Sequence, residues 1–125
     1  MTMLLDRPGT TLASGAVPVC DEAGLVPDRG VCALVGDRHV AVFRVSGTGE
    51  LFAVDNVDPF TGASVLSRGL VGATLRDGEW ITYVASPLRK QRFDLRSGRC
   101  LEDPAEGVDV FEVSVLDGVV RVAPA

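Results

Sequence analysis

Apolar side chains recur mostly at every second position along this chain, a spacing typical of β-strands with one buried face. Residues 38–45 read RHVAVFRV and are rich in β-branched and aromatic residues. A second run of this kind, ELFAVDN at residues 50–56, follows the glycine-bearing segment 46–49. Two strand-forming runs joined by such a segment predict a β-hairpin.

Further strand-forming runs continue this pattern to the end of the chain. Asp-Gly pairs at residues 77–78 and 117–118 interrupt them, and Asp-Gly is a pair that two-residue hairpin turns favour. The other runs lie at residues 31–35, 79–84, 91–95, 111–115 and 119–122. The pattern therefore predicts an all-β domain, a barrel or sandwich of roughly eight to ten short antiparallel strands.

One helical turn and one domain complete the predicted organisation. The turn is expected at residues 21–25, where Asp21 would cap its start and Pro27 would end it. A chain of 125 residues has the usual size of one domain. Residues 1–14 show no periodicity and are expected to form a flexible N-terminus, followed by a single domain over residues 15–125.

The charge of the chain excludes several classes of partner. The net charge is −5 and the isoelectric point is about 4.7. Nucleic acids and anionic membranes attract basic surfaces, so neither is an expected partner. The chain has no long apolar segment and no basic, apolar leader at its start. We therefore expect a cytoplasmic protein that does not bind membranes.

The few cysteines and the single histidine limit the metal chemistry. Cys20, Cys32 and Cys100 are far apart and form no C-x-x-C pair, so we expect buried, inert thiols. His39 is the only histidine, which excludes zinc or iron–sulfur sites that need two from one chain. We interpret it as a strand residue without a chemical role. No metal-binding or catalytic residue is predicted.

Two loops break the alternation and are the candidates for function. The first comprises residues 56–69 and the second residues 85–98, and each contains a proline near its start. Loops carried on a rigid β scaffold often hold binding residues. Asp55 and Asp58 lie in or beside the first loop. Two carboxylates are too few for Ca²⁺, so we expect turn-stabilising hydrogen bonds from them.

These loops resemble the two cluster-binding loops of Rieske iron–sulfur domains. Those domains carry Cys-x-His in the first loop and Cys-x-x-His in the second. Here Asp58 and Phe60 stand at the first pair of positions, and Ser86 and Arg89 at the second. The contexts GASVLSRG and RFDLRSG, after the first and second pair respectively, fit the same frame. All four ligand positions are degenerate, so an electron-carrying ferredoxin is excluded for the chain alone.

This combination resembles the family of small subunits of assimilatory NAD(P)H-dependent nitrite reductases, which are Rieske-like and lack the cluster. The resemblance covers residues 17–122 and implies a non-catalytic subunit that supports or regulates a large subunit. It further implies that sirohaem, an iron–sulfur cluster and FAD are held by the large subunit, with no cofactor in this chain. The alternative is a free-standing, cluster-free Rieske-like module that binds another protein.

The resemblance also places a candidate partner surface on the two loops. Its residues would be those at the exposed loop positions of cluster-bearing relatives: Phe60, Leu88, Arg89, Lys90 and Arg92. Together with Arg96 and Arg99, the last three form a local basic stretch that could attract an acidic partner, or simply face water. We hypothesise that Phe60 packs into the vacated cluster volume and that Arg89 pairs with a carboxylate such as Asp58. The alternative leaves both side chains in solvent.

Overall fold

The alternating runs form strands, joined by tight turns, throughout residues 15–123, the part of the chain that the computed structural model describes. The strands are β1 (Val17–Asp21), β2 (Val31–Val35), β3 (Arg38–Arg44), β4 (Leu51–Asp55), β5 (Leu70–Arg76), β6 (Glu79–Ala85), β7 (Arg92–Asp94), β8 (Val110–Phe111), β9 (Val113–Leu116) and β10 (Val119–Val122). Two 3₁₀ helices lie at Glu22–Gly24 and Leu66–Arg68. The prediction of an all-β fold with short antiparallel strands is confirmed.

The two Asp-Gly pairs form the hairpin turns that the sequence predicts. Asp77 and Gly78, with φ of 52° and 79°, join β5 to β6. Asp117 and Gly118, with φ of 53° and 76°, join β9 to β10. Positive φ at both central residues matches the right-handed twist of the paired strands.

The described strands form three antiparallel sheets. Their strand orders are β1-β10-β9, β2-β3-β4-β8 and β5-β6-β7. The third sheet carries both loops that interrupt the alternation, because the first loop ends where β5 begins and residues 86–91 of the second connect β6 to β7. Both loops therefore lie at the same end of the β5–β6 hairpin, opposite its Asp-Gly turn. Strand β7 itself lies within the segment predicted as the second loop.

The central sheet separates two apolar cores. Residues 40–43 of β3 are all fully buried, and successive residues point to opposite faces of the sheet. Ala41 and Phe43 pack into a core shared with the third sheet, through Val84 and Phe93. Val40 and Val42 belong to a core shared with the first sheet. At residues 40–43, the central strand β3 is thus buried on both faces of its sheet.

Three local features differ from the sequence predictions. The predicted helical turn is the 3₁₀ helix Glu22–Gly24, but the Asp21 side chain makes no capping hydrogen bond. Strand β1 and the first half of β5 were not anticipated, because neither shows a clear alternation. No helix in residues 15–123 is long and apolar enough to span a bilayer. The prediction for residues 1–14 lies outside the described residues.

Candidate functional site

Asn56 organises the first loop from its buried position at the end of β4. It is 2% exposed, and its Nδ2 donates to Ser64 Oγ at 2.8 Å. Its Oδ1 accepts a 2.6 Å hydrogen bond from the backbone N–H of Ser67. Its carbonyl oxygen accepts from the N–H groups of Val65 and Leu66 at 2.9 and 3.0 Å. The side chain and the backbone carbonyl of Asn56 therefore bind the far end of the loop to its start.

Asp58 lies inside this loop and is fully buried. Its Oδ1 accepts a 2.8 Å hydrogen bond from the backbone N–H of Phe60, and its own N–H donates to Ala63 O at 2.9 Å. Asp55 makes the same kind of local bond, accepting from Val57 N–H at 2.9 Å. The prediction that both carboxylates stabilise turns is confirmed.

Ser86 anchors the second loop in the same way. It is 1% exposed, and its N–H donates to Gln91 O at 2.8 Å while its carbonyl accepts from Lys90 N–H at 3.0 Å. Its Oγ also accepts from the N–H of Leu88 at 3.3 Å. Lys90 has a φ of 65°, the left-handed conformation that reverses the chain here. The turn over residues 86–91 is therefore short and closed by its own hydrogen bonds.

The two loops meet through Asp58 and Ser86. Ser86 Oγ donates a 2.6 Å hydrogen bond to Asp58 Oδ2, across 28 residues of sequence. Both side chains are buried. In the protein interior, a hydrogen bond to a carboxylate is stronger than it is at the surface. These are the two positions at which Rieske domains carry cysteine. A direct hydrogen bond thus joins the loops where a cluster would bridge them.

The residues at the four ligand positions do not fit a Rieske cluster. Such a cluster takes two thiolates on one iron and two imidazoles on the other. Asp58 and Ser86 offer oxygens that are bonded to each other, and Phe60 offers no donor atom. Arg89 is a cation and repels metal ions. Within residues 15–123, no three His, Cys, Asp or Glu side chains converge as a metal site would require.

Phe60 turns inward, as the first half of our hypothesis predicts. Its ring is half-buried and packs on Phe93, with ring centroids 6.2 Å apart and an angle of 42° between the planes. Phe93 is fully buried in the core beneath the third sheet. The aromatic ring therefore packs between the first loop and this core.

Arg89 does not follow the second half of the hypothesis. Its side chain is exposed, and in the described part of the chain it forms no ion pair with Asp58. The predicted pair is wrong because Asp58 is fully buried and already accepts from Phe60 and Ser86. Arg89 is one of three neighbouring residues at the tip of the second loop, with Leu88 and Lys90, whose side chains face solvent.

Two members of the basic stretch are engaged within the domain. Arg92 Nε lies 2.6 Å from Glu102 Oε2, and its guanidinium stacks 5.4 Å from the Tyr83 ring centroid. Arg96 lies 3.0 Å from Glu50 and stacks on Phe52. The cations of the stretch that have no ion pair among residues 15–123 are Arg89, Lys90 and Arg99.

The Arg92–Glu102 pair shifts the pKa of both partners. The hydrogen bond to Glu102 raises the pKa of the Arg92 guanidinium. Burial acts to raise the pKa of Glu102, but the hydrogen bonds and the charge of Arg92 outweigh it, so that the pKa is lowered. Both shifts favour the charged forms. Arg92 therefore stabilises the second loop through its ion pair with Glu102 and is also a candidate contact residue.

His39 takes part in the support of the first loop, which sequence reasoning missed. Its Nδ1 lies 3.1 Å from Ser64 Oγ, the atom that also accepts from Asn56 Nδ2. A contact between residues 25 positions apart has no local signal in the sequence. Of the three cysteines predicted to be buried, Cys100 is buried and Cys20 is only partly buried. For Cys32 the prediction is wrong, because this residue occupies an outward position of β2 and is exposed.

Comparison with known proteins places this site in a family. The profile of the family described as a Rieske-like [2Fe-2S] domain matches residues 16–123. The NADH nitrite reductase small subunit of Escherichia coli (strain K12) is 47% identical over 104 residues, covering 83% of this chain and 93% of that protein. The chain belongs to the nitrite reductase small-subunit family.

Two further relatives are informative. The solution structure of the nitrite reductase [NAD(P)H] small subunit from Erwinia carotovora is 43% identical, has a TM-score of 0.72 and covers 90% of this chain and 83% of that one. The nitrite reductase [NAD(P)H] large subunit of Klebsiella oxytoca is 39% identical over 104 residues, which are 83% of this chain but 10% of that protein. Membership in the nitrite reductase small-subunit family disfavours the alternative of a free-standing module with an unrelated partner.

Proposed function

We propose that this chain is the small, non-catalytic subunit of an assimilatory NAD(P)H-dependent nitrite reductase, which reduces nitrite to ammonium. The similarity to the Escherichia coli small subunit supports the assignment to nitrite reductase, and the Asp58–Ser86 hydrogen bond at the positions of the lost cysteines supports a non-catalytic role. A domain that keeps the Rieske frame but joins its loops directly is suited to protein binding. The redox chemistry would then belong to the partner.

The large subunit is the proposed partner, and the Klebsiella oxytoca relative supports this choice. In that protein, a segment similar to this chain is part of the large subunit itself. A covalent link keeps two domains at high local concentration without any need for tight binding. Where the two are separate chains, as the Escherichia coli small subunit is by its name, a binding surface must replace the link.

We assign the reactive cofactors to the large subunit. Nitrite reduction to ammonium transfers several electrons, and the donor set at the degenerate ligand positions offers no thiolate or imidazole. Sirohaem, an iron–sulfur cluster and FAD are therefore proposed for the large subunit, and none for this chain. A cytoplasmic location for the complex remains a prediction from the sequence.

The contact surface is proposed at the tip of the second loop. Leu88 is 52% exposed, and Arg89 and Lys90 beside it are exposed cations. An exposed apolar side chain followed by two exposed cations fits a partner surface that is apolar at its centre and acidic at its rim. Phe60 packs on Phe93 of β7, and the Arg92–Glu102 ion pair holds the start of the same strand.

The experiment compares the purified large subunit alone with the large subunit mixed with this chain. Nitrite-dependent NAD(P)H oxidation and ammonium formation are measured in both, and complex formation is measured by light scattering after gel filtration. We expect a stable complex with higher or better coupled activity. Absence of both a complex and an effect on activity would refute the proposal. Iron and acid-labile sulfide are measured on this chain alone, where stoichiometric amounts would contradict the cofactor assignment.

A further inference from the structure

A cleft beside the first loop is not part of the surface described so far. It has a volume of about 390 Å³ and lies between two segments of backbone, residues 28–30 and residues 67–70. Arg29 projects from the first segment and Arg68 from the second, and both are exposed. Leu70, at the edge of the cleft, is 77% exposed, the highest value among the large exposed hydrophobic residues of the described chain.

The wall that carries Arg29 is held in place by its neighbours. Asp28 N–H donates to Arg44 O at 2.7 Å, and the Asp28 carboxylate accepts from the N–H and hydroxyl of Ser46 at 2.9 and 2.6 Å. Gly30 touches the opposite wall, because a Cβ at this position would overlap the Ser67 carbonyl and lie 2.7 Å from Phe43 Cε1. The two walls therefore meet at the floor of the cleft and cannot close further.

The wall that carries Arg68 is equally fixed. Ser67 N–H is bound by the buried Asn56 side chain, and Leu66 beside it is fully buried. Gly69 lies so close to β6 that a Cβ would overlap the Ala85 carbonyl and lie 2.7 Å from Val84 Cγ2. A cleft with two rigid walls loses little conformational entropy when it binds a partner.

The charge of the cleft is positive and is not neutralised within the described chain. Among residues 15–123, neither Arg29 nor Arg68 forms an ion pair. Among the described residues that line the cleft, Asp28 is the acidic one, and its carboxylate accepts hydrogen bonds from Ser46. These two guanidinium groups lie on a protein whose net charge is −5. The cleft therefore attracts an anionic group against the overall charge of the molecule.

The cleft is also continuous with the proposed contact surface. Leu70 pairs with Ala85, the residue directly before Ser86, so Leu70 lies next to the start of the second loop. The exposed leucines Leu70 and Leu88 thus belong to neighbouring segments at the same end of the third sheet. A partner surface that extends from Leu88 along this end of the sheet would meet Leu70 at the edge of the cleft.

From this arrangement we infer that the cleft receives a carboxylate side chain of the large subunit, held between Arg29 and Arg68, while an apolar part of the same surface covers Leu70. The inference rests on the proposed function and adds a second, charge-selective contact to it. A carboxylate suits this site because guanidinium groups bind it through paired hydrogen bonds. A small anion would leave Leu70 in water, so a protein carboxylate accounts for both features.

The test uses two arginines at opposite ends of β5. Arg68 lies two residues before the strand, and Arg76 is its last residue, roughly 20 Å from Leu70 at the rise of an extended chain. Arg68→Glu and Arg29→Glu are compared with Arg76→Glu, which changes the net charge equally. Binding of each variant to the purified large subunit is measured at low and high salt. We expect the Kd to rise about tenfold or more for the two cleft variants and less than about twofold for Arg76→Glu.

The kinetics separate the roles of the cleft and of Leu70. The cleft variants should lose most of the salt dependence of the association rate, because long-range attraction is screened by salt. Leu70→Ser should raise the dissociation rate instead, with an unchanged thermal unfolding midpoint because Leu70 is exposed. Equal affinities for Arg68→Glu, Arg29→Glu and the wild type would overturn the cleft while leaving the proposed function intact. Failure of the wild type itself to bind would refute the proposed function.

A titration with nitrite alone tests the alternative hypothesis that the cleft binds a small anion. We expect no saturable shift of the Arg29 and Arg68 guanidinium resonances in the isolated chain at millimolar nitrite. Saturable binding that both charge reversals abolish, with unchanged affinity for the large subunit, would assign the cleft to a small anion and overturn the inference.

Discussion

Ser86 Oγ donates a hydrogen bond to Asp58 Oδ2 at 2.6 Å, between two side chains that are almost completely removed from solvent. The same carboxylate accepts from the backbone of Phe60, and the same hydroxyl accepts from the backbone of Leu88. Each loop is therefore fixed to the side chain that also joins it to the other loop. This pair keeps the Rieske frame closed without a metal.

Ser86→Ala should destabilise the domain, because it leaves one oxygen of a buried carboxylate without its partner. A buried acceptor that loses its donor costs about 1–3 kcal/mol. The free energy of unfolding, measured by urea denaturation at neutral pH, should fall by that amount. Ser114→Ala, at an exposed position of β9, is the control and should change it by less than about 0.5 kcal/mol.

A double-mutant cycle with Asp58→Ala and Ser86→Ala isolates the contact itself. Because the two side chains bind each other, the double variant should lose less stability than the sum of the single variants. Additive losses would mean that each residue acts only within its own loop.

Phe60→Ala should weaken the attachment of the first loop to the core. The ring is half-buried on Phe93, so the loss should be below the ~3–5 kcal/mol of a fully buried phenylalanine, at about 1–3 kcal/mol. Phe60→Leu, which keeps most of the apolar contact, should lose less than about 1.5 kcal/mol. Urea denaturation of both variants measures the difference, and equal stability of Phe60→Ala and the wild type would contradict the packing role.

The sequence predicts those features of this fold that have a local cause. The hairpin turns at Asp77-Gly78 and Asp117-Gly118 follow from the conformation that these residues favour, and the central strand β3 follows from its β-branched residues. Strand β1 was missed because it pairs with β10 at the other end of the chain, with a register shift between Pro18 and Cys20. No local pattern indicates a partner so distant in sequence.

The same limit applies to the site. The degenerate positions Asp58 and Ser86 could be found from spacing and resemblance, but not the bond between them, and the predicted Arg89–Asp58 pair was wrong. The opposite charges of the two residues suggest an ion pair. The pair does not form because Asp58 is fully buried, whereas the side chain of Arg89 is exposed. The cleft of Arg29 and Arg68 was missed because it is built from segments 39 residues apart in the chain.

Ser46→Ala should make the stability of the domain less dependent on pH in the acid range. Hydrogen bonds from Ser46 lower the pKa of Asp28 below its ordinary value of 3.8. A carboxyl with a lowered pKa stabilises the fold at pH values above its unfolded pKa, and this stabilisation is lost as the pH falls through the folded pKa. Removing the hydroxyl should cost about 1 kcal/mol or less at neutral pH, since the pair is partly exposed.

Two measurements check this assignment. The carboxyl resonance of Asp28, followed by NMR, should titrate at higher pH in Ser46→Ala than in the wild type. The difference in unfolding free energy between the two proteins should shrink as the pH falls below the folded pKa of Asp28. A difference that stays constant down to strongly acidic pH would show that Ser46 acts through packing alone. Because Asp28 lies beside Arg29, the variant also tests the rigidity of the cleft wall.

Restoring all four ligands should restore a cluster, because the loops keep the spacing and approach of a Rieske frame. Asp58 and Phe60 stand two positions apart, Ser86 and Arg89 three apart, and the Asp58 and Ser86 side chains already converge to 2.6 Å. The variant Asp58→Cys/Phe60→His/Ser86→Cys/Arg89→His, kept reduced and supplied with iron and sulfide under anaerobic conditions, should hold iron and acid-labile sulfide in equal amounts. The same variant with Arg89 retained lacks one imidazole and should not form a Rieske-type centre. An unloaded fourfold variant that is folded, as judged by its thermal unfolding, would mean that the two loops lie closer together than a cluster allows even without the Asp58–Ser86 hydrogen bond.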